Sequence, residues 1–66
     1  MNATINGEGK DLDEGTTVGG LLRALGVPLS GIAVAVNERI VRAVSFDDHQ
    51  VRDGDSIEII RAVAGG

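Results

Sequence analysis

A chain of 66 residues with no cysteine must hold itself together by packing alone. A domain of this size buries only about 60% of the surface that its unfolded form exposes. Chains below about 70 to 80 residues often add disulfides or a structural metal. Neither is at hand: with His49 the only histidine and no thiol, a disulfide framework, a thiolate zinc site and a cysteine nucleophile are all excluded. One small domain with an aliphatic core remains. Phe46 is the only aromatic residue, so stacking platforms for bases or sugars are not expected. Ten acidic against six basic residues leave a net charge of −4, which repels phosphate backbones and anionic lipids and argues against nucleic-acid and membrane partners. The longest apolar run, Ile32–Val36, is too short to span a membrane, and the N-terminus carries no signal-peptide pattern. A cytoplasmic domain without chemistry of its own is expected.

Period-two alternation over Met1 to Asn6 predicts a strand with Met1, Ala3 and Ile5 on one buried face. Gly7-Glu8-Gly9 predicts the connection of a hairpin that pairs back through Lys10-Asp11-Leu12. Thr16 or Thr17 can cap a helix whose Val18, Leu21, Leu22 and Leu25 fall at i, i+3, i+4 and i+7 and form one apolar stripe. Gly26 supplies the left-handed stop, and Pro28 prevents continuation. Gly19 and Gly20 oppose this helix by about 1 kcal/mol each relative to alanine, so packing must hold it. Ile32–Val36 is apolar on both faces, as a central strand requires, and Asn37-Glu38 turns it into Arg39-Ile40-Val41. Ser45 is expected to cap a short turn that plugs Phe46 into the core. Asp53-Gly54-Asp55 is a turn signal, and Ser56 to Arg61 follows as a strand with Ile57 and Ile59 inward and Glu58 and Ile60 outward. The order is β-β-α-β-β-β in a single domain, 1–66, with a flexible tail, 62–66.

An N-terminal hairpin, a crossing helix and a return to strands resemble the β-grasp, or ubiquitin-like, α+β fold with a mixed sheet. The wording narrows the resemblance. Thr17-Val18 leading into Leu21-Leu22, Ala35-Val36-Asn37, Asp53-Gly54-Asp55-Ser56-Ile57-Glu58-Ile59-Ile60 and the ending Ala62-Val63-Ala64-Gly65-Gly66 are similar to the ThiS family of thiamine-biosynthesis sulfur carriers, over essentially the whole chain. At ordinary glycine usage of about 7%, two terminal glycines arise by chance in roughly 0.5% of chains, and in roughly 2% at this chain's glycine content. Asp-Gly-Asp ahead of a strand is weak by itself.

Glycine has no Cβ, so an extended Gly65-Gly66 tail can enter a narrow channel in another protein and present an unhindered carbonyl. A carboxylate is a poor electrophile. The resemblance implies that a ThiF-like activating enzyme adenylates Gly66 with ATP, that sulfur displaces AMP to leave a thiocarboxylate, and that this sulfur passes to a ThiG-like thiazole synthase. It also implies a sulfur source such as a cysteine desulfurase. On this reading the chain is a protein substrate rather than an enzyme, with no catalytic, cofactor-binding or metal residue of its own. Gly66 is the modified residue, Gly65, Ala64 and Val63 are recognised in the tail, and Ile60 with Glu58 forms a docking patch.

His49 lies in a polar turn beside Asp47 and Asp48 without metal-ligand spacing and reads as a surface residue. Asp53 and Asp55 lack the further oxygen ligands of a calcium loop and read as turn residues. Arg39, Arg42, Arg52 and Arg61 are scattered among carboxylates and read as solvated surface or partner contacts. Neither Gly7-Glu8-Gly9 nor Gly19-Gly20 has the remainder of a phosphate loop. Three alternatives stand beside the leading reading. The small subunit of molybdopterin synthase shares the glycine tail but has a proline-containing approach, which Arg61-Ala62-Val63 lacks. A ubiquitin-like modifier would form isopeptide bonds, with Lys10 the only lysine of this chain. A plain binding module would make no adduct.

Overall fold

The computed structural model describes residues 1–61. Strands β1 (Asn2–Ile5), β2 (Glu8–Asp11), β3 (Ile32–Val36), β4 (Arg39–Val41) and β5 (Ser56–Arg61) form one sheet in the order β2-β1-β5-β3-β4, and helix α1 (Val18–Ala24) packs on one face. β1 and β5 run parallel, whereas β1–β2, β3–β4 and β3–β5 are antiparallel. This is the mixed sheet with one helix expected of a β-grasp. Ile32–Val36 is an interior strand, but the centre of the sheet belongs to β5, which both hairpins flank.

Both hairpin turns have two successive residues at positive φ, Asn6 and Gly7 in the first and Asn37 and Glu38 in the second, the geometry that matches the twist of paired strands. The first turn therefore sits one residue earlier than Gly7-Glu8-Gly9. Glu8 and Gly9 already belong to β2, which spans Glu8–Asp11 rather than Lys10 to Leu12. The Asn-Gly pair overrides the Gly-X-Gly signal because asparagine tolerates the left-handed conformation that opens such a turn.

Helix α1 begins where Thr17 Oγ1 accepts a 3.0 Å hydrogen bond from the Gly20 N–H. It ends in a paired cap: the Gly26 N–H donates to Arg23 O and the Val27 N–H to Leu22 O, with Gly26 at φ +72°. Leu25 is consequently the C-cap and not a core residue. It remains 39% exposed, because the helix stops at Ala24 and the capping turn carries Leu25 off the stripe. The core comprises Val18, Leu21 and Leu22 of the helix against Ala3, Ile5, Val34, Val36 and Ile57 of the sheet, with Ile59 partly buried at its edge. Phe46 is buried as expected, but Ser45 does not cap the turn with its side chain. The 3₁₀ turn Ala43–Ser45 has no side-chain cap, and Ser45 contributes its carbonyl, which accepts from the Asp48 and His49 N–H groups.

The structure accounts for the two helical glycines that propensity disfavours. Gly19 donates its N–H to Phe46 O at 2.9 Å, and a Cβ there would run into the Asp47 carboxylate. Asp47 crosses the first helical turn to form a two-pronged ion pair with Arg23, at 2.9 and 3.2 Å. The hydrogen bond from Arg23, and then its charge, hold the Asp47 carboxyl below its ordinary value. At Gly20 the same reasoning applies more mildly, since a Cβ would lie 3.2 Å from the capping Thr17 oxygen.

Two stability outcomes follow from these contacts. Leu22 is fully buried, so Leu22→Ala should cost about 2 to 5 kcal/mol in urea unfolding. Asp47 has a lowered folded pKa, so its stabilisation is complete above the unfolded carboxylate value and is lost as pH falls through the folded one. In thermal melts between about pH 5 and pH 2, Asp47→Asn should therefore lose less stability on acidification than the unsubstituted chain.

Candidate functional site

The tail named by the sequence, Val63, Ala64, Gly65 and Gly66, lies outside the described residues. What can be built is its base. On one side β3 pairs with β5 along its length, from Val36 opposite Ile57 to Ile32 opposite Arg61. On the other side β1 stops early, with Ile5 opposite Ile57. There the Asn6 N–H donates to Ile57 O at 2.8 Å, and the Asn6 side-chain oxygen accepts from the Ile59 N–H at 2.8 Å. A side-chain amide thus substitutes for the next carbonyl of β1 and lengthens its edge by one hydrogen bond. Beyond Ile59 only β3 holds the strand in register.

Alternation along β5 puts Ile57 and Ile59 toward the helix and Glu58 and Ile60 on the open face. Ile60 is 52% exposed, the outward placement expected from the sequence, and it stands opposite Ala33. Glu58 stands opposite Ala35, whose other neighbour is Ile40 of β4, 66% exposed. The open face therefore presents a trough floored by the small side chains Ala33 and Ala35 and walled by Ile40 and Ile60, with Glu58 at its border. Ile40 is the member that sequence reading did not single out; its position one residue before the inward Val41 was the available signal.

The opposite end of β5 is a turn held by side chains. Asp53 accepts from the Asn2 N–H, while Asp55 accepts from the Arg52 N–H at 2.8 Å and from the Asn37 side-chain amide at 2.9 Å. Asn37 in turn accepts from the Ser56 N–H at 2.9 Å. These aspartates occupy their oxygens with turn hydrogen bonds, as read from the sequence. His49 is half-buried beside an open cleft that Arg39, Arg52, Asp48 and Asp55 also line. Among the described residues no three histidine, cysteine or carboxylate side chains converge on a metal position, and no helix is long and apolar enough to cross a membrane.

The described residues define a β-grasp domain whose central strand, β5, runs beside an apolar trough on the open face of the sheet. Residues 3–66 match the ThiS family, and the chain belongs to it. It is 39% identical over 62 residues to the sulfur carrier protein ThiS of Thermus thermophilus, covering 94% of this chain and 95% of that one. It is 35% identical to the sulfur carrier protein ThiS of Escherichia coli, with both chains fully covered. A crystal structure of the thiamine biosynthesis protein ThiS from Geobacter metallireducens superposes with a TM-score of 0.85 at 35% identity, again covering both chains completely. All 66 residues also align at 39% identity with a thiazole synthase of Paramagnetospirillum magneticum, of which they span 20%.

The end of β5 should depend on Asn6. Removing its side chain by Asn6→Gly, which keeps the positive φ available, leaves the Ile59 N–H without its acceptor at a cost of about 1 kcal/mol. Hydrogen exchange should show Ile59 losing protection while Leu22 and Val34 keep theirs, and Asn6→Asp, which retains an acceptor, should preserve it.

Proposed function

We infer that this chain is a sulfur carrier of thiamine biosynthesis. The observation that carries the reading is a family match that runs through to Gly66, so that the terminal Gly65-Gly66 belongs to the matched segment. The thiazole synthases that contain a stretch like this one support the assignment of the acceptor.

The chemistry follows from the terminus. An activating enzyme binds the tail, and the Gly66 carboxylate attacks the α-phosphorus of ATP and expels pyrophosphate. The mixed anhydride has an electrophilic carbonyl, and sulfide displaces AMP directly; where the source is a cysteine desulfurase, its persulfide displaces AMP to give an acyl disulfide, which a thiol reductant cleaves by taking up the outer sulfur as its own disulfide. The thiocarboxylate that results carries an anionic sulfur, which attacks the acceptor on thiazole synthase. No cysteine of the carrier is needed, and the chain has none. ATP binds the activating enzyme rather than this chain, which acts in the cytoplasm as a substrate and not as a catalyst. Val63, Ala64 and Gly65 thread the partner's channel, and Ile60 with Glu58 supplies affinity from the folded domain, offsetting the cost of ordering the tail.

Two measurements test this. Incubation with the activating enzyme, ATP and a sulfur source should add about 16 Da at the C-terminal residue, an oxygen replaced by sulfur, located by fragmentation so that oxidation of Met1 is not mistaken for it. The chain lacking Gly66 should acquire nothing; equal labelling of that truncation would overturn the reading. Ile60→Asp should weaken binding to the activating enzyme about tenfold or more while leaving circular dichroism unchanged, since the side chain is half in solvent already.

A further inference from the structure

On the open face of the sheet, β5, β3 and the β4 track form a small grid whose register is set by strand pairing. Ile60 stands opposite Ala33 and Glu58 opposite Ala35, and Ala35 stands opposite Ile40 of β4. Arg42 completes the grid. It follows the inward Val41, which pairs with Val34, and its extended backbone (φ −73°, ψ 149°) continues the alternation, so it falls on the open face level with Ala33. One row is therefore Arg42, Ala33 and Ile60, and the next is Ile40, Ala35 and Glu58. The two charges occupy one diagonal of a rectangle about 10 by 7 Å, and the two isoleucines occupy the other. All four corner residues are exposed, and among the described residues neither Arg42 nor Glu58 forms an ion pair. The other charged residue that strand pairing puts on this face, Asp11, stands opposite Asn2, two strands and four residues away from Glu58.

We propose that this face is a self-association surface on which a second copy of the chain lies across the first, with Arg42 of each copy against Glu58 of the other. A closed pair of identical chains has a two-fold axis, so any residue that meets another is met by it in return. For two sheets packed face to face the axis lies in the plane between them, and four directions relate the corners of the grid to one another. An axis along the strands sets Arg42 over Ile60 and Glu58 over Ile40, and an axis across them sets Arg42 over Ile40 and Glu58 over Ile60. Either one buries unpaired charges against isoleucine. Along the Arg42–Glu58 diagonal, like charges meet on the axis. Along the Ile40–Ile60 diagonal, each isoleucine meets its own copy and the opposite charges come together, their positions within about 4 Å in projection and in reach of both side chains. The strands of the two copies then cross at about 70°, close to the orthogonal class of sheet packing. Ala33 and Ala35 keep the centre low enough for the sheets to approach to about 10 Å. A grid of this size falls well short of the roughly 800 Å² per partner of a stable interface, and two chains of net charge −4 repel, so the pair is weak, with a Kd of about 0.1 to 1 mM. Ile60 and Glu58 also form the patch assigned above to the activating enzyme, so the pair and that complex exclude one another. This consequence, unlike the pair itself, rests on the carrier reading.

The test is sedimentation equilibrium of the full chain from about 20 µM to about 2 mM, across which monomer should pass into dimer. R42E and E58R should each raise the dimer Kd at least tenfold, since each sets like charges against one another. An equimolar mixture of R42E and E58R should dimerise again, because each copy then offers the charge that the other lacks, and so should the double exchange R42E/E58R. Ile40→Asp, which sets two carboxylates on the axis, should abolish the dimer, and circular dichroism of all these variants should match that of the unsubstituted chain because the altered positions are exposed. A chain that stays monomeric up to about 2 mM overturns the proposal, as does a mixture no more associated than its components. Single variants that dimerise as well as the unsubstituted chain overturn the pairing of Arg42 with Glu58. Excess activating enzyme should dissolve the dimer, and an enzyme that binds the dimer intact overturns the exclusion. The mass shift at Gly66 separates the two readings: its absence removes the carrier reading and leaves the dimer, whereas its presence in a chain that stays monomeric removes only the dimer.

Discussion

β5 is the strand on which the rest of the domain is assembled. The β1–β2 hairpin flanks it on one side and the β3–β4 hairpin on the other, and each hairpin has only its own pairing and the strip of core it covers. An isolated two-stranded hairpin is marginal in water. Inserting β5 joins two such hairpins into a five-stranded sheet with one continuous inner face, on which Val18, Leu21 and Leu22 can be buried. With no disulfide available, that joint surface is the means by which a chain this short excludes enough water to fold.

The same arrangement divides labour along β5. Its inward residues are Ile57 in the core and Ile59 partly buried against it, while its outward residues Glu58 and Ile60 face the open trough. Hydrogen bonds from both flanks hold Ile57 and Ile59, so the course of β5 to that point is fixed by the fold. For a sulfur carrier of the ThiS family, the folded domain contributes a β5 paired with β1 on one side and β3 on the other.

Local chemistry was readable in the sequence and distant pairing was not. A threonine cap at residue 16 or 17, which the structure assigns to Thr17, Gly26 as a stop, the Asp53-Gly54-Asp55 turn and the inward isoleucines of β5 each follow from a few adjacent residues. Leu25 misled because a stripe at helical spacing does not say where the helix ends, and the cap formed by Gly26 and Val27 takes Leu25 out of it. The Asn-Gly turn at residues 6 and 7 was hidden by a competing glycine signal one residue further on. Arg23 with Asp47, Asn6 with Ile59 and Asn37 with Asp55 are 24, 53 and 18 residues apart, and no periodicity announces such pairs. Gly19 looked like a flaw in a helix until Asp47 was seen to need the space. On β5 the outward Ile60 could be read directly. Ile40 acquires meaning only once strand order sets it beside Ala35 on the open face.

Placing the last strand in the middle also governs how the domain can come into being. Pairing β1 with β5 brings together residues 4 and 56, a contact of high sequence separation whose loop-closure entropy must be met before any of its benefit is gained. Until β5 has been synthesised the two hairpins have no shared partner, so no chain that stops short of it can reach the native state. Folding is therefore coupled to the synthesis of Ser56–Arg61. A ribosome that stalls or a protease that cuts within β5 yields an unfolded chain rather than a trimmed carrier. A folded domain is in this way already evidence that the chain has been made at least through β5.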